Sequence, residues 1–313
     1  MPEILVVHPS DAGLRLDVFL QRSFPEHSRS YFKNLMDNEP PDILVNKHLP
    51  KAGLVLKEGD IIDVTFPPSK EADILPVELP LDILYEDNDV LIINKAKGMV
   101  VHPAAGHTDD TLVNAILFHC GDSLSGINGE KRPGIVHRID KDTTGALIIC
   151  KNDHAHISLA EQIKAHTVHR IYKGIVYGNM KEDKGTVDLP LERDRKDRKR
   201  MAIARDENSG RHAVTHYRVL KRFKDYTYMK FSLETGRTHQ IRVHMSHIGH
   251  PLLGDEVYGP KKVKGFAKGL MGQTLHAETI GFIHPSTGEY MEFTAPLPEY
   301  FEELLKKLSN TAM

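Results

Sequence analysis

The sequence predicts an α+β fold with a mixed, largely antiparallel central sheet, flanking helices and a small N-terminal α/β unit. Two observations lead to this prediction. Apolar runs that alternate with period two, as strands do, follow one another with few helical segments between them, which argues against a doubly wound parallel sheet. A linker-like stretch at 68–80 separates residues 1–67 from a larger unit at 81–313.

The composition is typical of a globular protein. The chain has 313 residues, with 41 Lys and Arg against 43 Asp and Glu. At about 150 residues per domain, this length predicts roughly two domains. No apolar run approaches the roughly 18 residues of a membrane helix, so no membrane association is expected. Cys120 and Cys150 are the only cysteines, which favours a reducing compartment, the cytoplasm.

Two helices and two strands are predicted in the N-terminal unit. An apolar helical face runs over Leu14–Leu20. Ser28 can cap a second helix, whose apolar face begins at Tyr31. Short apolar runs at Asp42–Asn46 and Asp60–Val64 predict the strands.

The larger unit combines predicted strands with three predicted helices. The strands are Val90–Asn94, Gly145–Cys150, Ile171–Tyr177, His212–Leu220, Tyr226–Leu233 and Gln273–Ile283. The helices are Asp110–Phe118, Asp153–Ala165 and Glu299–Leu308. Aspartate is a favoured N-cap, so Asp110 and Asp153 are predicted to cap the first two helices.

Four segments between the apolar strands are dense in polar groups. They lie at 93–103, at 137–145, around Tyr172 and at 234–244. In the second segment Asp140 stands between Arg138 and Lys141, and these cations favour the ionised carboxylate. The segment is either a loop with a surface ion pair or part of a functional site.

The fourth segment carries two arginines around a pair of hydrogen-bonding side chains. Arg237 and Arg242 flank His239-Gln240, which suit contacts to bases or phosphates. If Ile241 and its alternate neighbours point into a core, Arg242 points the other way, into a cleft. The alternative is that both arginines are solvated surface charges.

A basic run follows the third segment. Glu192–Arg205 holds seven basic residues against three acidic ones. Such a run is either a solvated loop or an arm that contacts phosphates. Histidines also cluster, as at His239 and His244, but without cysteine partners or a zinc-binding spacing, so structural or solvated histidines are favoured over metal ligands. Glycine-rich nucleotide motifs and the H-E-x-x-H and G-x-S-x-G motifs are absent.

These segments together resemble the RluA family of pseudouridine synthases. His137–Asp140 with Thr143–Gly145 resembles the family signature H-R-L-D-x-x-[ST]-[ST]-G. Asn94–Ala115 resembles the first motif, Tyr172 stands where the family places a tyrosine, and Thr235–His244 resembles the third motif. The resemblance covers most of the larger unit and continues through Gly254-Asp255, Tyr258 and Leu275–Ala277.

The resemblance implies the pseudouridine synthase fold and, for residues 1–67, a likeness to the S-four RNA-binding domain, carried by Arg15-Leu16-Asp17, Ser28–Ser30 and Val45-Asn46. This domain order resembles the RluD type of bacterial enzyme, which modifies large-subunit ribosomal RNA. The expected activity is isomerisation of uridine to pseudouridine by base flipping, which needs no cofactor and no metal.

The resemblance also implies roles for individual residues. Asp140 would be the catalytic carboxylate, Arg242 its salt-bridge partner and Tyr172 a ring that stacks on the uracil. Arg138 would fill the space that the flipped base leaves. The further expected substrate-binding residues are His137, Thr143, Thr144, Arg237, His239 and Gln240. The expected phosphate contacts are Lys196, Arg198, Lys199 and Arg200.

The expected partner is RNA, as large-subunit ribosomal RNA or a ribosomal precursor particle, and no obligate protein partner is readable. Two other classes remain open at this point. One is a non-catalytic RNA-binding ribosome assembly factor with a synthase-like fold. The other is a metal-dependent hydrolase or nuclease that uses His239, His244 and Asp140.

Overall fold

The computed structural model divides the chain into two compact units, Met1–Ala72 and Asp73–Met313. The residues that it describes are 3–24, 29–37, 41–51, 53–66, 74–103, 106–121, 123–126, 133–197, 200–206, 209–261, 266 and 268–310. The predicted cap Ser28 and the predicted phosphate contacts Arg198 and Lys199 lie outside this part of the chain.

The N-terminal unit packs two helices on a small antiparallel sheet. Its elements are β1 (Glu3–Val6), α1 (Leu16–Ser23), α2 (Arg29–Met36), β2 (Ile43–Val45) and β3 (Ile61–Val64), with sheet order β1-β3-β2. Both helices and the last two strands were predicted, whereas β1 was not. Its side chains alternate little in burial, because β1 is an edge strand whose residues are mostly exposed. Leu20, Phe32 and Ile62 are fully buried in the core of this unit.

A nine-stranded sheet forms the centre of the larger unit. Its strands are β4 (Ile83–Glu86), β5 (Val90–Lys95), β6 (Thr144–Cys150), β7 (His169–Tyr177), β8 (Lys184–Asp188), β11 (Val214–Arg222), β12 (Tyr226–Leu233), β13 (Leu275–Ile283) and β14 (Tyr290–Thr294). The order is β4-β5-β6-β13-β7-β12-β11-β8, and β14 pairs with β13. Among these pairs, only β6 and β13 run parallel. The prediction of a mixed, largely antiparallel sheet is confirmed.

A separate hairpin and four helices complete the described part of the larger unit. The hairpin consists of β9 (Leu191–Arg193) and β10 (Met201–Ile203), which pair antiparallel. The helices are α3 (Leu112–Cys120), α4 (Asp153–Lys164), α5 (Gln240–His247) and α6 (Glu299–Asn310). None of the helices in the described ranges combines the length and the apolar character that crossing a membrane requires.

Helices cover the central strands on both faces. Along β5, Leu91 and Ile93 belong to the same apolar cluster as residues of α3, while Val90 and Ile92 belong to the cluster that includes α4. Because successive side chains of a strand point to opposite faces, β5 is buried on both sides. The sheet is therefore a rigid support for the loops at its edges.

Two predicted helix caps are wrong by one residue. Thr111, not Asp110, caps α3 in a reciprocal capping box, in which Asn114 Oδ1 accepts from the Thr111 backbone N–H at 3.1 Å. Asn152, not Asp153, caps α4 and accepts from the Ala155 N–H at 2.8 Å. In each pair the two neighbouring residues are both good caps, so residue preference alone does not choose between them.

Residues 241–245 belong to helix α5, which was not predicted, so Ile241 and its alternate neighbours do not point to one side as they would in a strand. Ile241, Arg242, Val243 and Met245 are all buried. A helix buried on every side shows no amphipathic period, so its sequence can be mistaken for a strand. Arg242 is buried and lines a pocket, so the alternative that it is a solvated surface charge is wrong.

Candidate active site

Three of the four polar segments meet at one end of the central sheet. Tyr172 on β7 pairs with Ala277 on β13, and Ala277 also pairs with Gly145 on β6. Gly145 has a φ of +111°, and a Cβ there would collide with the Ala277 carbonyl oxygen. The close parallel approach of β6 and β13 therefore requires glycine and brings the Asp140 loop beside Tyr172.

An open pocket of about 360 Å³ lies where these segments meet α5. Its lining includes eight of the ten predicted catalytic and substrate-binding residues: Arg138, Asp140, Thr143, Tyr172, Arg237, His239, Gln240 and Arg242. Apolar side chains such as Leu233, Ile241 and Leu275 complete the lining. A concave site with an apolar wall and converging polar groups is typical of a ligand pocket.

The carboxylate of Asp140 is held by a guanidinium from far along the chain. Arg242 Nη1 donates to Asp140 Oδ2 at 2.9 Å. The rest of the Arg242 fork is occupied by Asp255, with Nε to Oδ2 at 2.7 Å and Nη2 to Oδ1 at 3.0 Å. Asp255 Oδ1 also accepts the backbone N–H groups of Val257 and Tyr258. We call Asp140, Arg242 and Asp255 the Arg242 cluster.

Exposure differs sharply within the Arg242 cluster. The side chain of Asp255 is 0% exposed and that of Arg242 is 7% exposed, whereas Asp140 keeps 19% of its surface. Burial alone would lower the pKa of Arg242, but the hydrogen bonds and charges of Asp255 and Asp140 raise it above its usual value. Arg242 is therefore a permanent cation. Of the two carboxylates that it contacts, Asp140 faces the pocket and Asp255 does not.

His239 lies beside this cluster in a strained backbone conformation. Its φ is 57°, in the left-handed region that few non-glycine residues adopt, immediately before α5. His239 Nδ1 is 2.8 Å from the Tyr258 hydroxyl, which accepts the Met201 N–H at 2.8 Å. Since the hydroxyl can then donate its own proton to Nδ1, the imidazole proton is assigned to Nε2, which is 3.9 Å from Asp140 Oδ1.

Burial keeps two ring side chains of the pocket uncharged. It lowers the pKa of His239, and the charge of Asp140 only partly opposes this shift. It raises the pKa of Tyr172, an effect that Arg170 opposes and Asp140 reinforces. A neutral imidazole and a neutral phenol therefore face the Asp140 carboxylate at ordinary pH.

The loop that carries Asp140 is fixed by a buried lysine. Lys95 Nζ donates to the carbonyl oxygens of Lys141, Ala96 and Met99 at 2.8, 2.8 and 2.9 Å. Burial lowers the pKa of Lys95 to about 7, and the carboxylates of Asp142 and Asp140 oppose this shift. Lys95 was recognised in the sequence only as part of the first motif; a lysine that ends an apolar strand was the available signal.

Thr143 and Gln273 add a second support. The Thr143 N–H donates to the Asp140 carbonyl oxygen at 3.0 Å, and Gln273 Nε2 donates to the Thr143 hydroxyl at 3.0 Å. Sequence reasoning assigned no role to Gln273 or Asp255. Their side chains are buried polar groups, which the linear sequence does not reveal.

Two of the predicted substrate-binding residues do not line the pocket. His137 Nε2 accepts the backbone N–H of Ile148 at 3.0 Å, and burial lowers the pKa of this imidazole to about 3, with Arg170 adding to the shift. Thr144 and His276 share a hydrogen bond of 2.8 Å, and His276 also contacts the Ala295 carbonyl. Both predicted residues hold strands together next to the site.

The two predicted phosphate contacts in the described part of the chain, Lys196 and Arg200, differ in exposure. Lys196 is exposed in the loop between β9 and β10. Arg200 is half-buried, and its guanidinium carbon lies 5.3 Å from the centre of the Tyr258 ring. The basic run is therefore not simply a solvated loop, because one of its arginines packs on the ring that contacts His239.

The three residues of the metal-hydrolase alternative do not share a ligand cluster in the described part of the chain. His244 contacts the Thr215 hydroxyl at 2.9 Å and the Leu189 carbonyl at 3.0 Å. The group of potential ligand atoms that does cluster is Asp87, Asp89 and His284. There the Thr287 N–H donates to His284 Nδ1, so the ring proton on Nε2 points at Asp87 and the imidazole offers no free lone pair to a cation.

Comparison with known proteins identifies the family. Residues 89–247 match the family model described as RNA pseudouridylate synthase. The chain is 51% identical over 294 residues to a Bacillus subtilis (strain 168) protein described as an uncharacterized RNA pseudouridine synthase, YlyB, with 94% of both chains covered. It is 45% identical over 300 residues to ribosomal large subunit pseudouridine synthase D of Zymomonas mobilis, covering 95% of this chain and 94% of that protein.

Two further comparisons agree. Ribosomal large subunit pseudouridine synthase D of Pseudomonas aeruginosa is 43% identical over 311 residues, with 95% of this chain and 92% of that protein covered. The solved structure of human RNA pseudouridylate synthase domain containing 1 matches with a TM-score of 0.57 at 23% identity, over 79% of this chain and 98% of that chain. The latter supports the fold alone.

The chain therefore belongs to the RluA family of RNA pseudouridine synthases and is RluD-like. It is an isomerase that acts on uridines in RNA. The alternative of a non-catalytic protein with a synthase-like fold is not favoured, because the family match at 89–247 includes both Asp140 and Arg242.

Proposed function

We propose that this enzyme converts uridines of large-subunit ribosomal RNA to pseudouridines, with Asp140 as its catalytic carboxylate. Two kinds of support lead to this substrate. Relatives at 45% and 43% identity over nearly the whole chain carry the name ribosomal large subunit pseudouridine synthase D. The same relatives cover the N-terminal unit, for which we propose an S-four-type RNA-binding role.

The observation that carries the catalytic assignment is the geometry of the Arg242 cluster. Asp255 engages two nitrogens of Arg242 and orients the guanidinium, so that Nη1 reaches the partly exposed Asp140 carboxylate. Such an arrangement fixes the position of the Asp140 carboxylate and aims it into the pocket.

The reaction rearranges bonds within one nucleotide. The bond between uracil N1 and ribose C1′ breaks, the uracil turns, and C1′ forms a bond to C5. The proton on C5 leaves and N1 gains one, so no oxidant or reductant is required. Asp140 could attack C1′, add to the pyrimidine ring, or remove a ribose proton to give a glycal, and all three routes need the same carboxylate.

The other pocket residues divide the remaining tasks. The Tyr172 ring lies on the pocket wall, where it can stack on the uracil and stay protonated because burial raises its pKa. His239 can donate from Nε2 to a uracil or ribose oxygen. Arg138 is exposed at the pocket, where a guanidinium can occupy the gap that a flipped base leaves in the RNA.

A cytoplasmic location and a role in ribosome biogenesis are part of the same proposal, since ribosomal RNA is modified as the particle is assembled. We expect RNA alone as the macromolecular partner. The proposal requires that the RNA reach the Asp140 pocket with the target base extruded, at a cost of a few kcal/mol.

Mapping of pseudouridines tests the proposal. Large-subunit ribosomal RNA from cells that lack this protein should miss specific pseudouridines, and expression of the unaltered protein should restore them. The Asp140→Asn protein should not restore them, although it accumulates to the same level. An unchanged modification map of large-subunit RNA would contradict the substrate, and restoration by Asp140→Asn would contradict the catalytic assignment.

A further inference from the structure

A second depression adjoins the active-site pocket and is rich in arginine. It is an open cleft of about 930 Å³, and Arg237 lines both it and the pocket around Asp140. Arg193, Arg211, Gly236 and Arg237 are among its lining residues, and Glu192 is the one acidic residue in the described part of the lining. We call this depression the arginine cleft.

Backbone hydrogen bonds hold the arginine cleft in shape. Arg211 and Leu191 exchange two backbone hydrogen bonds of 2.9 Å, which fixes Arg211 beside strand β9. Arg237 Nε donates to the carbonyl oxygen of His212 at 2.9 Å, and its backbone N–H donates to Gln240 Oε1 at 3.0 Å. The guanidinium of Arg237 is thus held at the backbone of His212, the residue that follows Arg211, although the two arginines are distant in the chain.

No carboxylate within the described ranges forms an ion pair with Arg211 or Arg237. The acidic lining residue, Glu192, forms a long ion pair with Arg195, with Glu192 Oε1 3.8 Å from Arg195 Nε. The cleft therefore presents an excess of positive charge beside the uridine pocket. Guanidinium groups with free terminal N–H donors suit the oxygens of a phosphate.

A further guanidinium, outside the cleft lining, lies buried beneath the edge of the cleft. Arg170 is 6% exposed, and its Nη2 donates to the Glu234 carbonyl oxygen at 3.0 Å. Its Nε is buried without a hydrogen-bond partner. A Cβ on Gly236 would collide with Arg170 Nη1, so the glycine lets this charge lie directly under the turn that carries Arg237.

The surroundings of Arg170 do not neutralise it. Burial lowers the pKa of its guanidinium; Tyr172 opposes this shift and the nearby charge of Arg237 adds to it. Across the described part of the chain, Arg170 forms no ion pair with a carboxylate. A buried charge without a counter-charge is costly, and two neighbouring cations add to that cost. An anion in the cleft would offset the positive charges of Arg170 and Arg237.

We propose that the arginine cleft binds the RNA phosphate next to the target uridine and fixes the backbone about which that nucleotide is flipped. Arg211 and Arg237 contact the phosphate, and Arg170 supplies charge from below. Base flipping turns a nucleotide about its own backbone, so a fixed neighbouring phosphate defines where the base arrives. The inference rests on the assignment of the Asp140 pocket as the uridine site.

Binding measurements on the full-length protein give the first test, with a transcript of large-subunit ribosomal RNA as the probe. Arg211→Gln should weaken binding by about tenfold at constant salt. It should also flatten the plot of log affinity against log salt by about 0.7–0.9. Arg218→Gln, an exposed arginine of β11 outside the cleft lining, is the matched control and should change neither quantity. Equal effects of Arg211→Gln and Arg218→Gln would overturn the proposal.

A modified substrate tests the contact itself. Two synthetic stem-loops carry a neutral methylphosphonate on the 5′ or the 3′ side of a mapped target uridine. One of them should raise KM about tenfold for the unaltered enzyme while kcat at saturation stays nearly constant. The same RNA should cause little further loss with Arg211→Gln or Arg237→Gln, because the lost contact is already absent.

The outcomes separate this inference from the proposed function. If each methylphosphonate raises KM by the same factor in both variants as in the unaltered enzyme, the cleft does not contact these phosphates. That result would leave the role of Asp140 intact, because the test compares RNA affinity and KM and does not measure the chemical step. Thermal melting of each variant checks that it is folded, and Arg211→Gln changes an exposed side chain, so it keeps the test available if Arg237→Gln unfolds.

Discussion

Each unit of the molecule contains a cluster of arginine and aspartate, and the two clusters are built in opposite ways. In the Arg242 cluster of the larger unit, one cation is shared by two carboxylates. In the N-terminal unit, one carboxylate, Asp17, is shared by two cations, Arg15 and Arg29. We call these last three residues the Asp17 cluster.

Exposure is the larger difference between the two clusters. Arg15 and Arg29 are 55% and 49% exposed, whereas Arg242 is 7% exposed. Water solvates the arginines of the Asp17 cluster whether or not they are paired, so the pairing contributes little to stability. Arg242 has no such alternative, because removal of one partner leaves buried charge behind. The same residue types therefore form a solvated surface cluster in one unit and an obligatory buried one in the other.

The largest effect on stability is expected from breaking the Arg242 cluster at its centre. Arg242→Gln leaves the carboxylates of Asp140 and Asp255 together without a cation. We expect the free energy of unfolding to fall by about 3–5 kcal/mol, the usual loss when one partner of a buried pair is removed. Urea unfolding of the larger unit measures it. A loss below about 1 kcal/mol would mean that this cluster behaves like a surface pair.

A smaller effect is expected when only the charge of Asp255 is removed. Asp255→Asn keeps one oxygen and the shape of the side chain, but Arg242 is then paired with Asp140 alone. We expect a loss of about 1–3 kcal/mol in the free energy of unfolding. Isomerisation should also slow, because the guanidinium that aims Asp140 has lost its anchor. Unchanged turnover in Asp255→Asn would show that Arg242 does not need this anchor.

The pH dependence of stability tests the support beneath Asp140. The unfolded chain keeps the Lys95 proton up to a pKa near 10.5, whereas burial lowers the pKa to about 7 in the folded protein. Between these values the unfolded state holds the additional proton, so the free energy of unfolding rises with pH. Relative to Lys95→Met, the unaltered protein should gain about 2 kcal/mol between pH 7 and pH 9.

Lys95→Met is the natural control for that series, because it removes the titrating group and the three hydrogen bonds to carbonyl oxygens but keeps an unbranched side chain. The comparison is therefore of slopes rather than of absolute stabilities. A stability difference that is flat over this pH range would show that the carbonyl oxygens hold the ammonium charged throughout.

The smallest effect is expected in the Asp17 cluster. Arg29→Gln removes one of two exposed arginines, and Arg15 still contacts Asp17 at 3.0 Å. The free energy of unfolding should change by less than about 1 kcal/mol, and less still at high salt, because exposed pairs are screened. Thermal melting at two salt concentrations measures it. A loss as large as that of Arg242→Gln would remove the distinction between the clusters.

Sequence patterns predicted the sheet but not the helix that completes the site. The strands β5, β6, β7 and β12 alternate or run apolar over six to nine residues, so their periods are readable. Helix α5 has Arg242 and His244 buried beside apolar residues. Burial of charge depends on partners that are distant in the chain, so the local pattern predicted no helix there.

The same limit applies to individual site residues. Motif resemblance indicated Asp140 and Arg242, and the structure brings them to 2.9 Å across 102 residues of sequence. Motif resemblance could not indicate that Asp255 orients Arg242. Nor could it indicate that His137 turns away from the pocket and accepts the Ile148 N–H. Those contacts depend on the three-dimensional paths of loops, which no spacing rule specifies.

The most direct test of the account is a single-turnover assay of Asp140→Asn on a ribosomal RNA substrate, run beside RNA binding and urea unfolding. Because Arg242 keeps both hydrogen bonds to Asp255 and the asparagine side chain keeps one oxygen, the variant should stay folded, with a loss of about 1–2 kcal/mol of stability, smaller than that of Arg242→Gln. Its affinity for RNA should remain close to that of the unaltered protein, and no pseudouridine should form. Pseudouridine formed by a folded, RNA-bound Asp140→Asn enzyme would contradict the account.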